Sequence, residues 1–269
     1  LTMTNQTVYF AQISDSHLGP SPGCASHGSL ALPAVQRLVD IINQLPFKPD
    51  FIVHTGDITN HPHPASYALA RETFSRLRAP VYYVRGNHDD ASDIKKYLAM
   101  GPNQDLATDK EHLSYGFELK GVRFLVLDTQ GPPQSQPQGY LSTEQMKLLR
   151  REATTDGPPL VVFLHHPVLP MDSRWMDANM LVMNGQEVHD ALLPARHRIR
   201  GVFHGHTHQS TQTLQDGILY VAAASSLSQF SSWPDDEDVQ HIADEQPGFN
   251  FVRLMARQTM IRQHRYPQP

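Results

Sequence analysis

Val81-Tyr82-Tyr83-Val84-Arg85-Gly86-Asn87-His88-Asp89 is an apolar run that stops abruptly in polar residues. Its first half is β-branched and aromatic on both faces, as in a strand covered from two sides. Four other runs end in the same way. Val8–Ser14 leads into Asp15-Ser16-His17, and Phe51–Thr55 into Gly56-Asp57. Leu160–Leu164 leads into His165-His166-Pro167, and Gly201–Phe203 into His204-Gly205-His206-Thr207-His208. Further strands are expected at Arg123–Asp128, Ile218–Ala222 and Phe249–Met255. Between them the periodicity predicts amphipathic helices at Pro33–Leu45, Ala65–Leu77, Ala91–Leu98 and Glu187–Leu193, and at Ser142–Ala153 behind a Ser142/Gln145 capping box. Alternating strands and helices predict an α/β fold, in which ligands bind beyond the carboxyl ends of the strands. The five polar termini should therefore meet at one edge.

Around this frame the composition is ordinary. The chain has 269 residues, 22 Lys and Arg against 27 Asp and Glu, and a formal net charge of −5. It is 39% hydrophobic and 18% charged, too apolar for a disordered or coiled-coil protein. The acidic balance disfavours a grip on long nucleic acid. No apolar run reaches the roughly 18–20 residues of a membrane span. Leu1–Thr7 is polar and lacks the basic-then-apolar order of a secretory signal. The lone Cys24 forms no internal disulfide. A cytoplasmic protein without a membrane partner is the expectation. No shift in composition marks a boundary, so residues 1-269 read as one domain, with loops at Gln130–Gln138, Pro158–Pro159 and Asp235–Asp238. The unusual number is 16 histidines.

Each polar terminus is weak alone. Asp-x-His usually marks a turn, Asp after Gly caps a helix, and Gly-Asn-His-Asp suits a left-handed turn. His206-x-His208 puts both rings on one side of an extended chain. Five such clusters at five strand ends are not an accident. Two carboxylates, a carboxamide and several imidazoles suit Mn, Fe, Zn or Co better than Ca or Mg. There are too many donors for one ion.

The ordered set resembles the calcineurin-like metallophosphoesterase family, whose pattern is D-x-H, G-D, G-N-H-[DE], a His, then G-H-x-H. The resemblance runs from Val8 to about Gln209. It implies a four-layer α/β/β/α sandwich with a dinuclear site at the strand ends. Carried over by position, Asp15, His17, Asp57 and His208 hold one ion. Asp57, Asn87, His165 and His206 hold the other, so Asp57 bridges two divalent or mixed-valence transition-metal ions. Of the adjacent histidines, the resemblance selects His165 and leaves His166 behind it as an orienting group.

Such a pair lowers the pKa of water toward ~7 and sets a bridging hydroxide and a phosphoryl oxygen for in-line attack across roughly 3.5–4 Å. With two carboxylates and a hydroxide counted, about one positive charge remains to match a phosphodiester anion. No Gly-x-Ser-x-Gly elbow or reactive cysteine offers a protein nucleophile. The family's counterpart of His88 contacts the phosphate and assists the leaving oxygen, and Asp89 is expected to orient it. His54 reads as a hydrogen-bonded core residue, His204 as a neighbour of the ligands, and His61 and His63 as rim positions. His27, His112, His189, His197, His241 and His264 read as surface or packing positions.

Within the family, Ile13–His17, Gly86–Asp90 and His165–Pro167 resemble bacterial class III cyclic-nucleotide and glycerophosphodiester phosphodiesterases. Ser225–Phe230 and Gln246–Phe249 resemble the tail of the cyclic-AMP-type branch, although that branch's Pro and Cys are missing around Ser225–Leu227. The resemblance implies hydrolysis of small phosphodiesters, 3′,5′-cyclic nucleotides first. Glycerophosphodiester hydrolysis is the enzymatic alternative, and a non-catalytic metal-binding scaffold the alternative of another class. A cap near 167-190, with Trp175 and several methionines, is expected to form the pocket rim or else an interface, and a C-terminal extension is expected near 225-269. A homo-oligomer, dimer or higher, is a further implication.

Overall fold

Side chains alternate along each strand, and this sorting builds the layers of the computed structural model, which describes residues 7–107, 109–242 and 245–268. Phe124, Val126, Val161, Phe163 and Phe203 join one apolar core. Their neighbours Leu125, Leu127, Leu160, Val162 and Val202 join another. The first sheet has five strands in the order Gln258–Arg265, Gly248–Met255, Val8–Ile13, Phe51–His54 and Val81–Tyr83. The second has seven, in the order Gln212–Gln215, Ile218–Ala222, Ile199–His204, Leu160–Phe163, Val122–Val126, Tyr115–Leu119 and Gln104–Asp105. The sheets meet face to face through aromatic rings. Phe10 stands edge-on to Phe163 and Phe203, with centroids 5.6 and 5.3 Å away, and Phe51 does the same to Phe124 at 5.0 Å. Each such buried ring contributes about 1.5–3 kcal/mol.

Helices Ala31–Asn43, Pro64–Phe74 and Ala91–Tyr97 bury Val35, Leu38, Tyr67 and Ile94 against the first sheet. Helices Thr143–Glu152 and Gly185–Leu192 bury Leu148, Leu149, Val188 and Leu192 against the second. The result is the four-layer α/β/β/α sandwich that the resemblance implied.

Every expected strand and helix is present, with ends shifted by up to three residues. Among the strands that escaped the sequence reading are Tyr115–Leu119, Gln212–Gln215 and Gln258–Arg265. The last two are polar edge strands, which carry no apolar alternation to see. The capping box forms only halfway. Ser142 Oγ accepts from the Gln145 N–H at 3.3 Å, but Gln145 Oε1 turns away to accept from Ser114 Oγ at 2.8 Å. The expected cap region holds a short helix, Arg174–Asn179, ahead of Gly185–Leu192. Residues 1–6, most of the segment read as lacking a signal, lie outside the described residues. Among the described residues, no helix is long and apolar enough to cross a membrane.

Parallel pairing is what gathers the site. Val8–Ile13, Phe51–His54 and Val81–Tyr83 run parallel, as do Val122–Val126, Leu160–Phe163, Ile199–His204 and Ile218–Ala222. Their carboxyl ends therefore share an edge, where polar side chains clamp the two sheets. Gln12 Nε2 donates to the His204 carbonyl at 2.9 Å, and Asn250 Nδ2 donates to Gln12 Oε1 at 3.0 Å and the Ala222 carbonyl at 3.2 Å.

Candidate metal centre

The loops beyond the strand ends hold one another by backbone hydrogen bonds. Asp15 N–H donates to the Gly56 carbonyl at 3.0 Å, and Ser16 and His17 N–H both donate to the Asp57 carbonyl, at 2.9 and 3.0 Å. Gly205 N–H donates to the His165 carbonyl at 3.0 Å. Ser225 Oγ reaches the Asp15 carbonyl at 2.8 Å, and Ser226 Oγ the Ser14 carbonyl at 2.7 Å. The C-terminal segment thus braces the first ligand loop. Asp15, His17, Asp57, His206 and His208 all have left-handed backbones, with φ of 53°, 44°, 54°, 72° and 49°. Such conformations cost of order 1–3 kcal/mol each and persist where surrounding structure imposes them. Glycine is required at position 86, because a Cβ there would collide with the Asp57 backbone N and carboxylate.

The side chains of these loops converge. Asp57 Oδ2 lies 3.8 Å from His17 Nε2 and 3.4 Å from His165 Nε2. His208 Nε2 lies 3.0 Å from His17 Nε2 and 3.5 Å from Asp15 Oδ1, while His165 Nε2 lies 3.2 Å from Asn87 Oδ1. Donors bound to one transition-metal ion at about 2.0–2.2 Å sit roughly 3.0–3.5 Å from each other, a range that every one of these spacings but the 3.8 Å of Asp57–His17 meets. Tautomers strengthen the fit. His165 Nδ1 donates to the Thr55 carbonyl at 2.7 Å and His208 Nδ1 to the Ser228 carbonyl at 2.8 Å. A carbonyl only accepts, so in the neutral rings both Nε2 atoms present their lone pairs to the cage. His206 Nε2 and His17 Nδ1 are buried without a hydrogen-bond partner among the described residues. Ring nitrogens left unpaired in a dry interior are a cost that a cation removes.

Electrostatics point the same way. Burial pushes the Asp15 carboxyl up to about 7, with His165 pulling against it and Asp57 adding to it. Burial works upward on Asp57 too, yet His165 and His88 hold it well below the ordinary carboxylate range. His165 is raised to about 9, because Asp57 outweighs burial. Burial lowers His17 to about 3 and holds His206 and His208 well below their ordinary value. The interior thus keeps three rings neutral, the form in which an imidazole ligates.

All seven expected ligands are drawn together. Of the adjacent histidines, His165 turns Nε2 toward Asp57 and Asn87. His166 has Nδ1 2.7 Å from Thr129 Oγ1 and a buried Nε2 without a partner among the described residues, and with His165 and His206 it forms one group of nitrogens close enough to share an ion. His88 stands beside the cage, 5.1 Å from His17 between centroids, with Nδ1 2.7 Å from the Asn60 carbonyl.

The orientation of His88 by Asp89 needs correction. The Asp89 carboxylate accepts from the N–H groups of Ile58, Thr59 and Gly86 at 3.0, 3.0 and 3.1 Å. It ties the Asp57 loop to the Asn87 loop, and Asn60 orients His88. Neighbours on a tight turn point apart, so adjacency in sequence misled. His54 is in the core with Nε2 2.7 Å from Ser16 Oγ, and His63 Nδ1 caps the helix at Ala65 N–H, 3.1 Å away. His27 and His241, read as surface or packing positions, stack on each other at the cage rim. Only their meeting across the fold reveals them, and no local signal announces it.

A model of the Calcineurin-like phosphoesterase family matches residues 8–210. The chain belongs to this family. The phosphoesterase is 30% identical over 253 residues to the 3′,5′-cyclic adenosine monophosphate phosphodiesterase CpdA of Pseudomonas aeruginosa, spanning 93% of this chain and 87% of that one. It is also 30% identical over 220 residues to the probable glycerophosphodiester phosphodiesterase GpdQ of Arcobacter nitrofigilis, spanning 81% and 78%. In fold the phosphoesterase is similar to a dimetal phosphatase from Danio rerio, with a TM-score of 0.62 at 12% identity over 97% of this chain and 99% of the other.

Proposed function

We propose that this phosphoric diester hydrolase acts on small diesters, with 3′,5′-cyclic nucleotides its principal substrates and a pair of transition-metal ions its cofactor. Asp15, His17, Asp57 and His208 would hold one ion, and Asp57, Asn87, His165 and His206 the other. The observation that carries this reading is Asp57, whose Oδ2 lies within 3.8 Å of His17 Nε2 and 3.4 Å of His165 Nε2, one histidine from each set. When bound, such ions supply Lewis acidity and acidify a water at neutral pH. His88 does the rest of the proton work. Its Nδ1–H donates to Asn60, which leaves Nε2–H of the imidazolium to protonate the oxygen that departs as the P–O bond breaks. Asp89 keeps the Asp57 and Asn87 loops in register. Cyclic nucleotides are favoured because the CpdA likeness runs through the C-terminal segment that braces Asp15. The GpdQ likeness, at equal identity, supports glycerophosphodiesters as the second reading. A cytoplasmic location and a homo-oligomer belong to the same proposal, and fractionation and light scattering decide them.

The test is a panel of cyclic nucleotides, glycerophosphodiesters and nucleic acids, run under Mn, Fe, Zn and Co with metal analysis of the same preparation. Cyclic nucleotides should show the highest kcat/KM. A glycerophosphodiester in first place would install the second reading. Diester hydrolysis absent under all four metals would leave a scaffold.

A further inference from the structure

His27 and His241 come from opposite ends of the chain. His27 sits at the tip of the hairpin joining Ala25–Ser26 to Ser29–Leu30, and His241 in the strand Gln240–Ile242, paired to Gln229–Ser231. Their rings stack with centroids 4.1 Å apart and planes 20° from parallel. The edge contacts lead back to the cage. His27 lies 5.7 Å from His17 and 5.9 Å from His208, while Phe230 lies flat on His208 at 4.0 Å and stands edge-on to His241 at 4.6 Å. The rings of His208, Phe230, His27 and His241 therefore form a continuous surface that begins on a cage histidine and ends in solvent, where both His27 and His241 are exposed. An exposed stacked pair does little for the core. It is placed where a substrate held at the cage would lay its organic part.

We infer that this aromatic wall is the base-recognition surface: the nucleobase stacks on the His27–His241 pair while the phosphate enters the cage. The inference rests on the cyclic-nucleotide reading above and supplies the contact that would separate a nucleotide from a glycerophosphodiester. A flat π-surface gains from a flat heterocycle, whichever base it is, and gains little from a glycerol group.

The test compares inhibitors that differ only by the base. Hydrolysis of bis-p-nitrophenyl phosphate by the metal-loaded enzyme is inhibited with 5′-AMP and with ribose 5-phosphate. In the unaltered enzyme AMP should bind about tenfold more tightly, a typical gain for one stacked base. The ratio should fall to within about twofold in His241→Ala, and in His27→Asn, which removes the ring but tolerates the left-handed backbone. His241→Phe should restore it. Metal analysis of each variant separates loss of the wall from damage to the cage. Equal inhibition by the two ligands overturns the inference. So does a ratio that survives both ring deletions, or glycerophosphocholine outcompeting AMP in a way that depends on His241. An enzyme that hydrolyses no cyclic nucleotide yet keeps the tenfold ratio would sink the substrate reading and leave the wall standing.

Discussion

His189 and His206 are both buried, at 1% and 4% exposed, yet they use their ring nitrogens in opposite ways. His189 closes both. Nδ1 lies 2.7 Å from the Tyr220 hydroxyl and Nε2 3.0 Å from Asp216 Oδ2, so the ring pins the helix Gly185–Leu192 to the strand Ile218–Ala222 and its turn. His206 leaves Nε2 unpaired among the described residues, and its companions His165 and His208 each use one nitrogen on a carbonyl and aim the other at carboxylate oxygens. Burial distinguishes neither case. A saturated ring holds structure, whereas a ring with an unpaired nitrogen among carboxylates and other imidazoles is placed to receive a cation.

The largest effect should come from Asp57, the carboxylate common to both proposed ligand sets. Asp57→Asn keeps the shape and removes the charge, so metal content should fall and kcat/KM should drop by at least about 10³, as for loss of a group on which the whole site depends. Full metal occupancy with near-normal turnover would show that unpaired ring nitrogens do not mark the cage. His88→Ala should come next, with turnover down about 10²–10³ for a lost general acid while metal analysis stays unchanged. Metal lost along with activity would move His88 into the ligand set. Smaller again is Thr129→Val, which strips the hydroxyl 2.7 Å from His166 Nδ1. Groups at that remove from a metal typically cost 10–100-fold in affinity, so titration should show a dissociation constant raised about tenfold.

The same contrast explains what the sequence could disclose. The convergence of the seven proposed ligand positions was legible because each lies beyond a strand end, and parallel strands bring their ends together without further information. The layers were legible for a similar reason, in runs such as Val161-Val162-Phe163-Leu164 that are apolar on both faces. Roles that depend on direction were not. Asp89 follows His88 in the chain but turns back to the Ile58 and Thr59 amides, and nothing in the residue types foretells it. His27 and His241 lie more than two hundred positions apart and become a pair only once both hairpins are placed. Strand Gln258–Arg265 is polar because it closes the edge of its sheet, and periodicity has no purchase there.

The sharpest trial of the contrast substitutes one ring of each kind by leucine. In His189→Leu the Tyr220 hydroxyl, on a residue only 2% exposed, loses its imidazole partner. A buried polar group left unpaired costs about 1–3 kcal/mol, which in a protein of this size lowers Tm by a few degrees. Metal content should not change, and turnover should stay within about twofold, since the ring's bonds run to Tyr220 and Asp216 and to no cage residue. In His206→Leu the signs reverse. Metal binding should fail, but with chelator present throughout, Tm should hold or rise, because an unsatisfied buried nitrogen has been replaced by an apolar group of similar size. Chelator-treated His206→Leu melting well below the chelator-treated parent would mean that His206, like His189, is a structural pin. The distinction between saturated and waiting rings would then fail at the residue that illustrates it best.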